Sequence, residues 1–518
     1  MTPLTVLQGL VVLAYYLALF VLFLYGINCY VLVCLYRRGR GAALAQDEEV
    51  WRRWRPDPAR LPVVTVQLPL YNERYVVDRL LEAVTRLDYP RDRLEIQILD
   101  DSTDATRAIA ARLAARYRRE GFDIVHLCRD DRSGFKAGAL KAGLEVAKGE
   151  FIAIFDADSV PAPDFLLKTL PFFEDPEVGM VQTRWGHINH DYSLLTRAQA
   201  LAMDGHFGIE QPARAWSGFF LNFNGTAGVW RRAAIEDAGG WHTDTLTEDL
   251  DLSYRAQLKG WRLKYLPQVV CPCELPVQMS AFTSQQQRWA KGSIQTAKKL
   301  LPAILRARVP LAVKWQATLH LTAYLMHPAM LLVAVVSPLF LWSDGLHSGR
   351  DRFVWLAAFF SMATFGPSAL FLYAQRLLYA DWRRRILFFP TLFVFGTGVA
   401  LSNTKAIVEA LLNVRGAFVR TPKFRIEKPS DTWLGKRYRP RFRWFSLLEA
   451  VFALYCAGGV VAFLDRGSFD PFLGLYAVGF GSVALLSLRE ALWLPLLSRE
   501  RGGARPADVQ EGGAAVAG

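Results

Sequence analysis

The sequence predicts an α/β domain built on a parallel sheet, combined with an α-helical membrane domain of about five spanning helices plus interface helices. Three observations predict it. The 518 residues are 52% hydrophobic, and the apolar residues gather in one block near the N-terminus and several beyond Pro310. Between these blocks, short apolar runs alternate with helical patterns, as in an α/β sheet. The formal net charge of +13 is concentrated beside the apolar blocks, at Arg37, Arg38 and Arg40, at Arg383, Arg384 and Arg385, and at Arg437, Arg439, Arg441 and Arg443. That is the charge distribution of a membrane protein. No nucleic-acid reader motif accompanies the charge, so a nucleic-acid partner is not expected.

Residues 8–36 form an apolar run, longer than the roughly 20 residues a bilayer crossing needs. Basic residues follow it instead of preceding it, so it reads as a retained helix whose C-terminal end faces the cytoplasm. Residues 1–40 are therefore the first membrane segment, and residues 47–307 a cytoplasmic domain. Residues 313–342 and 353–378 are expected to form a hairpin within 308–385, with an outer loop at 343–352. Residues 445–464 and 472–496 form a second hairpin within 445–497. The intervening 386–418 stretch turns polar at Asn403, Lys405, Glu409 and Asn413. A full crossing there would place the basic run 415–443 outside, against the charge rule. Residues 386–444 are therefore expected to be re-entrant or interfacial, and residues 498–518 to be disordered. The 6 cysteines lack the paired spacing of a zinc site and are expected to be reduced thiols.

Within the cytoplasmic domain, "VVTVQLPLY" reads as a strand followed by a helix over 73–87. "LEIQILDDS" is the second strand, followed by a helix over 104–119. "FDIVHLC" is the third, followed by a helix over 136–146, and "FIAIFDADS" is the fourth. Open α/β sheets bind ligands beyond the carboxyl ends of their strands. The first strand ends in Tyr71, Asn72 and Glu73, the second in Asp100 and Asp101, and the fourth in Asp156 and Asp158. A lone Asp-x-Asp is commonly a solvated turn, and Ser102 or Thr103 could simply cap a helix. Acidic groups gathered on successive strand ends are different, because like charges need a cation or donors between them. Hard oxygen ligands favour Mg2+ or Mn2+, with substrate phosphates completing the shell. Neither a Gly-x-Gly-x-x-Gly turn nor a Gly-Lys-Ser/Thr loop follows the first strand, which disfavours a dinucleotide or P-loop enzyme.

Two further motifs lie downstream. In "TEDLDLSYRAQLKGW", Thr247 can cap a helix, with Glu248 and Asp249 at its positive end. The functional alternative makes one carboxylate a general base for a hydroxyl nucleophile. In "QQQRWAKGS", Trp289 offers a face for a sugar ring, and Arg288 a fork for phosphate. The same stretch also reads as an amphipathic helix at a membrane surface.

With Asp100/Asp101, Asp156-x-Asp158, Thr247-Glu248-Asp249 and Gln285-x-x-Arg288-Trp289 in place, the chain resembles the processive membrane glycosyltransferases of family 2. These include cellulose, hyaluronan and chitin synthases. Its wording is nearest the plant cellulose-synthase-like A group, the glucomannan and mannan synthases, through "YNER", "QILDDSTD", "FKAGAL", "AIFDADS", "FNGTAGVWR", "AGGW" and "QQQRW". The resemblance covers essentially the whole chain, is specific through Trp289, and weakens in the membrane helices.

It implies a glycosyltransferase-A (Rossmann-like) fold. Tyr71, Glu73 and one or both of Asp100 and Asp101 would hold the nucleoside. Lys136 would contact the diphosphate, and Asp156 and Asp158 the metal. Asp249 would be the base, with Glu248 and Asp158 beside the reaction. Gln285, Arg288 and Trp289 would close the site, with Trp289 under the terminal sugar. Asn224, Gly225 and Thr226 stand at the acceptor motif, where a Cys-Gly-Ser type is found in relatives. The loop "FVRTPKF" resembles the gating loop of bacterial cellulose synthase, so that Thr421 and Lys423 would reach the nucleotide. It departs from that loop at Arg420 and Pro422. Nothing like a cyclic-di-GMP-binding segment follows the last helix, so control of that kind is not expected.

The resemblance implies an inverting, processive hexosyltransferase. Its donor would be a cytosolic nucleotide sugar, GDP-mannose or GDP-glucose before UDP-glucose. The acceptor would be a growing β-1,4-linked polysaccharide, passed across the bilayer, with a periplasmic export partner as one further expectation. The alternatives are a UDP-glucose-dependent β-glucan synthase and a transferase of single sugars to a lipid or short glycan. The expected location is a bacterial inner membrane, or otherwise a Golgi membrane with the same domain facing the cytosol.

Overall fold

A computed structural model describes residues 3–129, 131–342, 359–360, 362, 365–414, 419–438, 442–467 and 470–493. The expected outer loop at 343–352, the first part of the 353–378 span, Phe418 at the start of the loop and the 498–518 tail lie outside the described residues.

The sheet has seven strands in the order β3-β2-β1-β4-β6-β5-β7. They are β1 Val64–Leu70, β2 Leu94–Asp100, β3 Asp123–Cys128, β4 Phe151–Ile154, β5 Val178–His187, β6 Gly228–Arg231 and β7 Arg262–Cys273. The first four run parallel, as the alternation predicts, with Leu70 level with Asp100 and Asp100 level with Cys128. The sheet as a whole is mixed. β6 runs antiparallel to both β4 and β5, while β7 pairs parallel to β5. This corrects the expectation of a purely parallel sheet.

Both faces of the sheet are covered. Val64, Val66, Leu68, Ile96 and Ile98 pack into one buried cluster, and Ile152, Ile154, Met180 and Trp230 into another. Alternate residues of a strand point to opposite faces, so a strand buried on both sides is apolar almost throughout. "FIAI" at β4 is buried at all four positions. The helices match the reading in place but start later at two points, at Val77–Thr85 and Thr106–Arg119, and the third spans Phe135–Val146. Residues 71–76 form a turn in which Asn72 has φ +58°, so Glu73 precedes the helix.

The N-terminal helix runs unbroken from Pro3 to Arg53, well past the expected end near Tyr36. Residues 313–342 are not one straight helix. The helix Leu311–Leu321 and the segment Ala323–Leu339 meet at a 55° bend. Among the described residues, 4 helices are long and apolar enough to cross a membrane, or up to 5 if the bent pair is one span. One of them is Trp382–Leu411, within the stretch expected to be interfacial. Its two ends are both tied to the globular domain. Arg385 reaches His190 Nε2 at 3.1 Å, and Lys298 Nζ bonds the carbonyls of Ala410 and Leu411 at 3.0 and 2.9 Å.

Candidate active site

The carboxyl edge of β1, β2 and β4 opens into a cleft of about 220 Å³. Its walls come from the strand ends, the start of the helix Glu248–Leu258, the helix Met279–Arg306 and the segment after Val419. Of the expected residues, Asp100 alone does not line it.

Asp100 is committed elsewhere. Its Oδ1 accepts the Ser102 amide at 2.8 Å, and its Oδ2 meets His126 Nε2 at 2.9 Å. Burial would raise its pKa, but these hydrogen bonds outweigh it and hold the carboxyl below its usual range. Ser102 Oγ in turn accepts the Asn72 amide at 2.9 Å, which pins the β1 turn to the β2 turn. Neither Ser102 nor Thr103 caps the next helix; Asp104 Oδ1 bonds the Thr106 amide at 2.9 Å in that region. Asp101 does line the cleft, gripped by the Arg129 guanidinium at 2.8 and 2.5 Å. The Arg132 guanidinium lies over the Tyr71 ring, 3.3 Å from its centroid.

Asp156 and Asp158 follow β4, and each meets a lysine. Lys136 Nζ bonds Asp156 Oδ1 at 2.5 Å and the Gly225 carbonyl at 2.8 Å. Lys423 Nζ bonds Asp158 Oδ2 at 2.6 Å. Thr226 Oγ1 accepts the Asp156 amide at 2.8 Å, which places the acceptor motif directly behind the Asp pair. Asn224 also lines the cleft, but its side-chain oxygen is engaged by Asn222 at 2.9 Å and Gln211 at 3.3 Å.

Asp249 enters from the opposite wall, in the first turn of Glu248–Leu258. The Thr247 side chain makes no cap bond to that helix; its Oγ1 lies 3.2 Å from Thr296 Oγ1. Capping by Thr247 is thus corrected. A Cβ on Gly225 would stand 2.9 Å from Asp249 Oδ2 and 3.2 Å from Lys136 Nζ, and Gly225 has φ +79°. Glycine is required there for both reasons. Burial, then the neighbouring Glu248 carboxylate, push the Asp249 pKa up to about 7 against the pull of Lys136. Burial raises Glu248 as well. A carboxylate titrating near neutrality within reach of a bound hydroxyl suits general-base work.

Gln285, Arg288 and Trp289 sit in the first third of the helix Met279–Arg306 and all line the cleft. The segment from Val419 to Glu427 has no helix or strand and lies across the cleft's mouth. Arg420 forms an ion pair with Glu73 at 2.7 Å, without the alignment of a hydrogen bond. Burial pushes Glu73 up to about 7 even with Arg420 beside it. Thr421 and Lys423 line the cleft, as the loop resemblance implies.

The family description "Glycosyltransferase like family 2" matches residues 62–292, which hold the whole sheet and every motif through Trp289. Those residues are a family 2 glycosyltransferase domain. The chain is 43% identical over 273 residues to the probable glucomannan 4-beta-mannosyltransferase 4 of Oryza sativa subsp. japonica, covering 52% of this chain and 50% of that one. It is 44% identical over 253 residues to glucomannan 4-beta-mannosyltransferase 2 of Arabidopsis thaliana, covering 48% and 47%. These relatives meet the resemblance drawn from the motifs, and the chain spans about half their length. Among solved structures, the mannosyltransferase PcManGT from Pyrobaculum calidifontis, in complex with GDP-Man and Mn2+, is 25% identical. It covers 76% of this chain and 100% of that one, with a TM-score of 0.47.

Two groups among the described residues of the glycosyltransferase domain have metal-ligand spacing, Asp100 with His126 and Cys128, and His242 with Asp244 and Asp251. In the second, Asp251 already faces Arg255 at 2.7 Å and Lys299 at 2.9 Å. The Asp156 and Asp158 pair offers oxygen donors alone, and each carboxylate already draws one cationic nitrogen to itself. That donor set fits a hard divalent ion. Arg129, Arg132 and Glu274 also line or brace the cleft without having been anticipated. The two arginines were findable. They follow β3, whose carboxyl end obeys the same rule as those of β1, β2 and β4.

Proposed function

We propose that the chain is an inverting, processive glycosyltransferase that elongates a β-1,4-linked polysaccharide of mannan or glucomannan type and passes it across a membrane. Its donor is a cytosolic nucleotide sugar, GDP-mannose first. The observation that carries this reading is Asp249, facing the Lys136–Asp156 pair across Gly225 with a pKa raised to about 7. The names of the plant relatives support mannosyl transfer through a β-4 linkage.

In this reading Tyr71 and Asp101 hold the nucleoside, with Asp100 bracing the turn behind them. Lys136 contacts the diphosphate. Asp156 and Asp158 hold Mg2+ or Mn2+, which when bound neutralises the leaving diphosphate. The acceptor sugar rests on Trp289, with Gln285, Arg288 and the Asn224–Thr226 turn around it. Asp249 takes the proton as the acceptor hydroxyl attacks the anomeric carbon and the bond to the diphosphate breaks. One displacement inverts the configuration. The apolar helices carry the chain outward, with the stretch 386–444 kept on the catalytic domain's side of the membrane. The plant relatives fit a Golgi membrane and lend no support to a bacterial inner membrane.

The test uses the full chain in detergent or vesicles with Mn2+. Radiolabelled GDP-mannose and UDP-glucose are supplied separately, and the product is digested with mannanase or cellulase. A long mannanase-sensitive product from GDP-mannose is expected. A cellulase-sensitive product from UDP-glucose alone overturns the donor. Single-sugar products overturn processivity.

A further inference from the structure

Glu274 directly follows β7, and its side chain is 1% exposed. It bonds in several directions at once. Its amide donates to Asp158 Oδ2 at 3.1 Å, and its carbonyl accepts Lys423 Nζ at 2.5 Å. Its Oε1 accepts the Phe424 amide at 2.8 Å. Its Oε2 meets Arg79 NH2 at 3.1 Å, and Arg79 NH1 reaches on to Glu427 at 3.0 Å. One buried residue thus touches a cleft carboxylate, the loop's lysine, the loop's backbone and, through Arg79, the loop's far end.

The loop has little else to fix its path. Residues 419–427 form no helix or strand, so their backbone groups have no ladder to satisfy them. Phe424 is 1% exposed and packs with Val277, Ile426 and Tyr75, but an apolar contact is non-directional and sets no register. A charged acceptor on the Phe424 amide does set register, because such a bond is short, directional and strong. Glu274 can stay charged in so buried a place because Arg79 pairs with it; an unpaired charge there would be expelled or neutralised.

We propose that Glu274 is a positioning residue that seats loop 419–427 over the donor cleft, with Arg79 fixing its carboxylate in place. The consequence for the donor rests on the transferase reading; the seating itself does not. Thr421 and Lys423 face the cleft only while the loop is seated. If the seated fraction falls to about a tenth, the apparent donor affinity falls about tenfold, because a ligand's apparent affinity scales with the competent fraction.

The loop carries its own reporters, since Arg420, Lys423 and Arg425 are trypsin sites within it. Full-length Glu274→Gln and Glu274→Asp are compared with the wild type by limited trypsin digestion and intact mass, with no donor present. Cleavage at the three loop sites is expected to rise about tenfold in Glu274→Gln and less in Glu274→Asp. Cleavage at exposed control sites such as Arg53 and Lys259 should stay unchanged. In the transfer assay Glu274→Gln should raise donor KM about tenfold with kcat nearly constant. Wild-type loop cleavage in a folded Glu274→Gln protein overturns the proposal. Faster cleavage with unchanged donor KM overturns the link to the donor while leaving the seat. If control sites open together with the loop, the variant has unfolded, and Glu427→Gln takes its place. It breaks the Arg79 clamp from the loop side at a half-exposed position. A few-fold rise in loop cleavage is then expected, and none overturns the clamp. Because trypsin reads seating without turnover, failure of the transferase reading would leave this result standing.

Discussion

Asp156 and Asp158 stand one residue apart at the end of β4, yet they meet their lysines by different routes. Lys136 comes from the helix Phe135–Val146, 20 residues before Asp156, and is part of the same sheet layer. Lys423 comes from 265 residues beyond Asp158, in a loop between two apolar segments. One half of the cleft is assembled by the glycosyltransferase domain as it folds. The other half arrives with a segment that has no secondary structure of its own. The first half should therefore tolerate changes in the loop, whereas the loop's contribution should depend on how it is seated.

The largest effect is expected at a residue both halves serve. Asp249→Asn should keep donor binding and lower kcat by roughly 10²- to 10⁴-fold, the scale of general-base catalysis. An Asp249→Asn protein that elongates at the wild-type rate would sink the assignment. The same carboxyl gives a pH signature. Its pKa is raised to about 7 by burial and Glu248, with Lys136 and Asp156 also acting on it. As a base it must be unprotonated, so kcat/KM should fall as pH drops through about 7. For stability the sign is opposite. The folded state holds a proton on Asp249 that the unfolded chain, at the model value of 3.8, has released. Stability from this group is therefore lost as pH rises from about 4 through about 7. At pH 8, Asp249→Asn should melt above the wild type even though it is inactive.

The two lysines test the comparison directly. Lys136 is buried against Asp156, Gly225 and Glu248, so Lys136→Met leaves several acceptors without a cation. Breaking a buried charged pair costs several kcal/mol. Activity should fall about 10²-fold, and the thermal midpoint should fall with it. Lys423→Met removes a charge-assisted contact of about 1.5–3 kcal/mol from a loop. Donor KM should rise about tenfold and the midpoint should barely move. Equal losses of stability in both variants would mean that the loop is as integral to the fold as the sheet.

The same division separates what the sequence discloses from what it hides. β1 to β4 were legible because each is a short apolar run followed by a helical pattern, and acidic residues at strand ends then located the cleft. β5 to β7 were not. β6 is 4 residues long and lies inside "FNGTAGVWR", which reads as a motif and not as a strand. β7 carries Pro267 and Pro272, which argue against a central strand, and it is indeed at the sheet's edge. Asp100 and Asp101 could not be told apart in sequence, since only His126 and Arg129, from a neighbouring strand and its loop, decide which carboxylate faces the cleft. Glu274 has no local pattern at all. Its partners Arg79, Asp158, Lys423 and Phe424 are scattered along the chain and meet only when the loop is docked.

The smallest expected effect concerns Thr247, where local and tertiary readings compete. Residue type and position say helix cap, and a lost cap costs about 1 kcal/mol whatever surrounds it. The structure gives its hydroxyl to Thr296 on the helix Met279–Arg306, and its methyl carbon packs where Gly292 leaves room. Thr247→Val keeps the packing and removes only the hydroxyl. A cap would make that loss independent of residue 296. A Thr–Thr bond makes it vanish once Thr296 is also Val, because neighbours that share one interaction are not additive. Each single variant should lower the thermal midpoint by a few degrees at most, and the double variant no further than the worse single. Full additivity would restore the cap. Its absence would mean that the helix bearing Asp249 is held by the helix bearing Trp289, so that base and acceptor platform move as one body.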